Sequence, residues 1–381
     1  MGKKQRPVFV EYFEGIDDPR RDNANRRHEL IDIIVIAVTG MICGADSWTE
    51  IELVGKGKQR WFRTFLSLPN GIPSHDTFGR VFSMIDPEQF RAAFGHFVAA
   101  IADLVPREVV AIDGKTVRRS HDRRNGKDAI HMVSAWATEN RVVLGQVKTD
   151  EKSNEITAIP ALLKALNLKE VIVTIDAMGC QTDIAEQIVD AEADYVLALK
   201  GNQPTIHDQA NHLFDGSLLA DFEIGDWSIF EKEETSHGRQ EKRTCYATQN
   251  LDILDAAEDW KRMKSLVVVV SERTIDGEVR TERRLYISSL KYKARRFGEI
   301  IRAHWGIENR LHWVLDMQFR EDECRVRRGN AAENLVMLRH LAANLLRHTP
   351  TDKYKAGVKA KRLAAAIDHD YLLDVLSCAG T

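Results

Sequence analysis

The sequence predicts a mixed α/β fold, all-helical at the front and interrupted late by a β-rich stretch. Three observations predict it. Apolar residues recur at helical spacing from about His28 to Leu104. From Arg107 the period changes to short β-branched runs, three in succession and then two alternating with helices. β character returns between Asp221 and Leu290, before helical spacing resumes at Phe297. The 381 residues are enough for two or three domains. The divisions expected are a helical part over 1–105, a first core part over 106–220, a β-rich insertion over 221–290 and a helical return over 291–381.

Each element has its own signal. Leu30, Ile33, Ile34, Ala37, Val38 and Met41 mark the first strong helix. Pro73-Ser74 before His75-Asp76-Thr77-Phe78 predicts a helix start with Ser74 as N-cap. Pro87-Glu88 opens another helix through Phe90, Phe94 and Phe97. The Ser74 helix also carries Arg80, so it suits either a helix lying in a DNA groove or one that only packs. Strands are expected over Val109–Val117, Ile130–Thr138 and Val142–Thr149, with a tight turn at Asn140-Arg141. Helix Ile156–Leu166, strand Val171–Ile175, helix Thr182–Ala193 and strand Tyr195–Leu199 follow. Three meandering strands and then two strand–helix alternations is the RNase H-like order. A right-handed crossover through Ile156–Leu166 returns the fourth strand to the sheet. In the insertion, strands are expected over Phe222–Phe230, Arg243–Thr248, Leu266–Ser271 and Arg284–Ser289. Helices over Phe297–Phe319 and Ala331–Leu346 close the pattern.

The chemistry is concentrated in three blocks. Asp113 and Asp176 each end a β-branched apolar run after an Ile, and Glu308 sits in the late helical pattern between Trp305, Ile307, Leu311 and Trp313. Taken singly, either aspartate is ordinary strand-end chemistry. If the fourth strand lands beside the first, however, the two carboxylates meet at neighbouring strand ends, where ligand sites of such sheets lie. Adjacent carboxylates repel unless a cation neutralises them. Two strand aspartates plus a helical glutamate suit two Mg²⁺ ions, with Mn²⁺ as a substitute, because Mg²⁺ takes hard oxygen ligands. Ions about 4 Å apart can hold the attacking and leaving oxygens of a displacement at phosphorus.

Other residues compete or assist. His304, Glu308 and His312 share a helix face at four-residue steps, but lack the His-Glu-x-x-His order of zinc proteases. Asp316 and Asp322 are rivals of Glu308 for the third ligand position. Lys115, Lys200 and Asn202 follow strand ends on the expected active side, where they suit phosphate or turn chemistry. His237 and Arg239 fall in an expected turn of the insertion, where they suit DNA contact or turn chemistry equally. Trp305 and Trp313 read as core.

Composition narrows the class. The net charge of −3 does not advertise nucleic acid. Local clusters suit either phosphate or, taken singly, ordinary solvated surface: Lys115, Arg118, Arg119, Arg123, Arg124 and Lys127 after the first aspartate, and Arg320, Arg325, Arg327 and Arg328 after the glutamate helix. Lys353, Lys355, Lys359, Lys361 and Arg362 form a third cluster. Cys43, Cys180, Cys245, Cys324 and Cys378 show no pairing or zinc motif, which fits a reducing compartment. The start of the chain has no apolar signal region, and the most apolar stretch, Leu30 to Ala45, contains Asp32 and is too short to span a bilayer. A cytosolic protein is expected.

The ordered segments AIDGKTVRRS from Ala111, VTIDAMGCQ from Val173, LALKGNQ from Leu197, the SHGR stretch from Ser236, RAHWGIENRLHWVLD from Arg302 and RVRRGNAAEN from Arg325 carry a resemblance. Over nearly its whole length the chain resembles the DDE transposases of bacterial insertion sequences, in the H-repeat-associated (ISAs-type) branch. The resemblance implies an RNase H-like catalytic core and Asp113, Asp176 and Glu308 as the acidic triad. It also implies divalent metal, and cutting and joining of double-stranded DNA at element ends and target. A homodimer on DNA follows by analogy, since two ends must be held together. Related transposases carry a Tyr, Arg, Glu, Lys signature on the glutamate helix. Here its Tyr and Arg places are Ile301 and His304, and its Lys place is Leu315. Arg302 and Arg310 are then the candidates for phosphate contact, with Arg118, Arg119 and Arg325 as further basic positions. The alternatives are a nuclease on the same fold, a decayed transposase that binds DNA without cutting, and a metal-independent regulator using the Ser74 helix.

Overall fold

Nine strands form one sheet, and its order explains how distant acidic residues meet. The computed structural model describes residues 6–22, 26–122, 126–149, 155–222, 226–236, 239–275, 278–349 and 353–377. The expected core strands are β1 (Val109–Thr116), β2 (His131–Ala137), β3 (Val142–Lys148), β4 (Ile172–Ile175) and β5 (Asp194–Leu199). The insertion adds β6 (Trp227–Ser236), β7 (Arg239–Thr248), β8 (Ser265–Ile275) and β9 (Glu278–Ser288). The order is β3-β2-β1-β4-β5-β9-β8-β7-β6. β1 runs parallel to β4, and β4 to β5, while the flanking pairs are antiparallel. The first five strands are thus in RNase H-like order. The insertion is not a separate sheet: β9 pairs along β5 and the β6–β9 meander extends the core.

Helices cover both faces, which is why β4 is buried from end to end. Alternate strand residues face opposite ways. Val109, Ile172, Val196, Val267 and Tyr286 pack against Phe297, Ile300 and Ile301 of α10 (Ala294–His304). Val110, Val173 and Leu197 join the larger core with Ile159 of α7 (Glu155–Ala165) and Ile184 of α8 (Thr182–Asp190).

The front region is helical as expected: α1 (Phe9–Phe13), α2 (Leu30–Ile42), α3 (Trp48–Gly57), α4 (Gln59–Phe62), α5 (His75–Phe82) and α6 (Pro87–Ile101). α2 is buried on every side except at Ile31, as a helix apolar all round must be. It packs on α12 (Ala331–Arg347), which also touches α5, α6 and β3. α12 ties the front to the sheet by side-chain amides. Asn344 exchanges two 3.0 Å hydrogen bonds with the backbone of Val143 in β3. Asn334 donates to the carbonyls of Phe82 and Ile85 behind α5. Ser74 caps α5 by accepting from the Thr77 amide. Phe78, Val81 and Phe82 bury one face of α5, and His75 is held by Glu52 at 2.7 Å. α13 (Val358–Ile367) and α14 (His369–Leu376) end the described chain. Among the described residues no helix is long and apolar enough to cross a membrane, and Cys43, Cys180, Cys245 and Cys324 are free thiols.

Several expectations need correction. Residues Pro204–Leu219 form a further helix, α9, between β5 and the insertion. The first insertion strand starts at Trp227, not Phe222, because Phe222 sits at φ +60° in the turn after α9 and stacks on Tyr246. The hairpin strands extend several residues into charged sequence that gives no apolar period. The glutamate helix is not one α-helix over Phe297–Phe319: after α10 the chain passes through a π-helical stretch, Ile307–His312, before α11 (Trp313–Gln318). The break follows Gly306, the weakest helix former in the segment. Arg123, Arg124, His237 and Cys378 lie outside the described residues, and Arg239 is described only as the first backbone position of β7.

Candidate active site

In the parallel β1–β4 ladder Ile112 lies opposite Ile175. The next residue in each chain is the aspartate, so Asp113 and Asp176 stand side by side at the sheet's carboxyl edge. Asp113 accepts a 2.9 Å hydrogen bond from the Gly114 amide. Asp176 accepts from the amides of Met178 at 3.0 Å and Gly179 at 3.4 Å, so the turn after β4 fixes its rotamer. Asn202 braces that turn by donating to the Ala177 carbonyl at 2.8 Å.

Glu308 arrives from the π-helical stretch. Such bulges are rare and recur at functional sites. It shares one cavity of about 210 Å³ with Asp113 and Asp176, walled also by Thr174, Lys200, Arg284 and Trp305. Burial raises the Asp113 carboxyl to about 7, reinforced by the charges of Glu155, Asp176 and Glu308. Asp176 is raised by burial and by Glu155, with the turn amides and Lys200 opposing. Glu308 is raised by loss of hydration against the cavity wall, with Arg284 opposing. Among the described residues no three His, Cys, Asp or Glu side chains already stand close enough to enclose a metal ion. The three carboxylates share a cavity without being closed onto one point. Their hard oxygens and unbalanced negative charge fit a divalent cation.

The histidines do not form a ligating row with Glu308. His304 pairs with Thr174 Oγ1 at 2.9 Å, and His312 Nδ1 lies 3.6 Å from Asp113 Oδ2. Burial lowers His304 to about 4 and His312 to about 3, so both are neutral at physiological pH.

The basic candidates separate by position. Lys200 lines the cavity. Lys115 does not offer its ammonium to the cavity: Nζ is held by Asp316 at 2.7 Å and by Glu321 and Asp322 at 3.2 Å. Burial alone would lower its pKa, but these carboxylates outweigh it and raise it. Asp316 and Asp322, the rivals of Glu308, are taken up by the same ion cluster. Arg118 pairs with Asp322 at 3.1 Å, and the Arg119 carbonyl accepts from Arg327. Arg325 is exposed between Asp322 and α12. Arg302 and Arg310 line a larger cleft of about 1130 Å³ between α10 and the hairpin strands. Its walls also carry Arg243, Arg273, Arg295 and Arg296, and it meets the carboxylate cavity at Arg284, Trp305 and Glu308. Arg284 stacks over Trp305 at 4.5 Å, so this tryptophan borders both clefts and is only half-buried. Trp313, read as core, is 53% exposed. Two residues near the carboxylates had no sequence signal: Glu155 at the start of α7 and Arg284 in β9. Both reach the site only through tertiary folding.

Comparison with known proteins agrees with this architecture. The family model described as Transposase DDE domain matches residues 105–345, and one described as DDE_Tnp_1-associated matches residues 10–98. The chain belongs to the DDE transposase family. Among its relatives is YncI of Escherichia coli O157:H7, named as a transposase. It is 44% identical over 377 residues, covering 97% of this chain and 95% of the relative. The H repeat-associated YhhI of Escherichia coli K12, also named as a transposase, is 42% identical over 358 residues, 93% of each chain. A piggyBac transposase synaptic complex with hairpin DNA aligns over 96% of this chain and 80% of that one, at TM-score 0.45 and 10% identity. That is too distant to carry any of the argument.

Proposed function

We propose that the chain cuts DNA at the ends of the insertion sequence that encodes it and joins the freed ends to a target, with Asp113, Asp176 and Glu308 as the catalytic carboxylates. The observation that carries this reading is the Ile112–Ile175 register, which sets both aspartates at one edge of a cavity that Glu308 completes. The three carboxylates would hold divalent cations, Mg²⁺ or Mn²⁺. Bound there, the cations supply Lewis-acid activation of the attacking oxygen and charge neutralisation at phosphorus.

The protein's own contribution is positioning and electrostatics. In the first step a water oxygen bonds to phosphorus, the P–O3′ bond breaks and a 3′-hydroxyl is left at the element end. In the second step the oxygen of that hydroxyl bonds to a target phosphorus, the target P–O3′ bond breaks, and the proton given up by the hydroxyl balances the one taken up by the released target 3′-oxygen. The turn amides at Met178 and Gly179 keep Asp176 in place through both. Lys200, which lines the cavity, would meet a phosphate oxygen beside Asp176. The arginine-lined cleft, with Arg302 and Arg310, would receive the DNA backbone beside the cavity, taking over the phosphate-contacting role of the signature residues missing at Ile301, His304 and Leu315. The helical part over 1–105 and the insertion over 221–290 would grip the ends, the core parts over 106–220 and 291–381 carrying the chemistry. Two chains would hold two ends as a homodimer, in the cytosol where the DNA lies.

The test is cleavage of a DNA fragment carrying the gene's own flanking ends. Cuts at the ends that need Mg²⁺ or Mn²⁺ and vanish in Asp176→Asn are expected. Binding without cutting in both proteins would overturn the reading and point to a decayed element or a regulator.

A further inference from the structure

Gly114, the residue after Asp113, is in contact with side chains that could not approach any other residue type. A Cβ built there would lie 2.1 Å from Glu155 Oε1 and 2.3 Å from His131 Nε2. The carboxylate of Glu155 is therefore pressed against the β1 backbone one residue beyond the first catalytic aspartate. It comes from the first turn of α7, which the crossover brings back over the sheet.

Its orientation is fixed. His131 Nε2 and Glu155 Oε1 are 2.8 Å apart, and His131 Nδ1 is 2.8 Å from the Thr116 hydroxyl. A neutral imidazole donates from one nitrogen and accepts at the other. These distances fit the tautomer in which the Thr116 hydroxyl donates to Nδ1 and Nε2–H donates to Glu155. The Glu155 carboxylate is thus oriented by an imidazole, in a cleft that Lys127, Lys148 and Arg327 also line. The carboxylate is mostly buried, at 15% side-chain exposure, yet it opens onto this cleft of about 340 Å³, which Met178, two residues past Asp176, also lines. A carboxylate buried and oriented close to two others carries a desolvation cost that a cation held among them would offset. Consistent with that placement, Glu155 is the first charge acting on both Asp113 and Asp176.

We propose that Glu155 is a fourth carboxylate of the catalytic centre, directed at the divalent cation that Asp113 and Asp176 would hold, with His131 as the residue that positions it. This rests on the metal reading above. Glu155 extends the cation's oxygen set from the α7 side, opposite to Glu308, and Gly114 is the residue that makes room for it.

The probe is MnCl₂, titrated into the whole chain by calorimetry without DNA. Six proteins are compared: wild type, Glu155→Gln, Glu155→Asp, His131→Asn, Asp176→Asn, and the surface control Glu186→Gln, whose residue pairs with Lys261. Glu155→Gln is expected to weaken Mn²⁺ binding about tenfold, as loss of a supporting ligand does, with the melting temperature in EDTA not lowered. His131→Asn, which frees the carboxylate but keeps its charge, is expected to weaken binding by a smaller factor, and Glu155→Asp to fall between wild type and Glu155→Gln. Wild-type Mn²⁺ affinity in Glu155→Gln, or in both Glu155→Asp and His131→Asn should the first variant not fold, with Asp176→Asn impaired, would overturn the proposal alone. Wild-type affinity in Asp176→Asn as well would overturn the metal reading on which it rests.

Discussion

Asp113 and Asp176 are 63 positions apart in the chain, yet each directly follows a residue of one register pair, Ile112 opposite Ile175. Nothing about either aspartate is unusual alone. The parallel ladder makes them neighbours, and their shared burial makes the pair costly without a cation.

That cost gives a pH dependence. The folded-state carboxyl of Asp113 is raised to about 7 from 3.8, so the folded state holds this proton more tightly than the unfolded chain. Its contribution to stability is complete at low pH and is lost as pH rises from about 4 to about 7. In EDTA the melting temperature of the wild type should fall over that range relative to Asp113→Asn. Addition of Mg²⁺ at pH 8 should raise the wild type and leave Asp113→Asn unmoved. A pH profile identical in the two proteins would contradict the assignment.

Gly114→Ala places a methyl group 2.1 Å from Glu155 Oε1. Forcing atoms into a packed site costs about 1–3 kcal/mol. A chain that still folds, read by circular dichroism, but cuts DNA at least tenfold more slowly is expected. Wild-type cutting would show that Glu155 can move aside freely.

Lys115 and Lys200 follow strand ends in the same way but should fail differently. Lys115 joins β1 to Asp316, Glu321 and Asp322, and Glu321 is only 1% exposed. Lys115→Met removes the cation that these three carboxylates share, leaving Asp322 to Arg118 and Glu321 to Arg339, and removal of one partner from a buried cluster costs about 3–5 kcal/mol. Urea unfolding should show that loss. Lys200→Ala should unfold like the wild type while cutting poorly. The reverse pattern would exchange their roles.

The groove arginines should act on DNA affinity with little effect on fold. Arg302 is 55% exposed and its nearest carboxylate, Glu234, is 3.6 Å away. Arg302→Ala should weaken binding of an end fragment and lower the salt slope of log K by about one. An unchanged slope would place the phosphate elsewhere.

Much of this was legible in the sequence, for identifiable reasons. The β-branched runs ending at Asp113 and Asp176 are buried on both faces, so their signal is continuous. Ser74 and Pro87 announce helix starts by their own chemistry. The outer halves of the hairpin strands, such as Glu231 to Glu234 and Glu278 to Glu282, are solvated and carry no apolar period. α9 begins at Pro204 without a side-chain cap, so no capping residue announces it. The π-helical turn under Glu308 has no residue code, so the four-residue steps of His304, Glu308 and His312 suggested one shared helix face, whereas His304 turns to Thr174 and His312 towards Asp113. Glu155 and Arg284 are ordinary in sequence, and only the crossover and the β5–β9 pairing bring them to the carboxylates.

The central claim is that Asp113, Asp176 and Glu308 hold divalent metal. The most direct measurement is anomalous diffraction from crystals of the wild-type chain soaked in MnCl₂. The account predicts a peak between the carboxylates of Asp113 and Asp176, with Glu308 closing on the same cavity, and loss of that peak in Asp176→Asn. A peak elsewhere in the chain, or none at this cavity at saturating Mn²⁺, would contradict it.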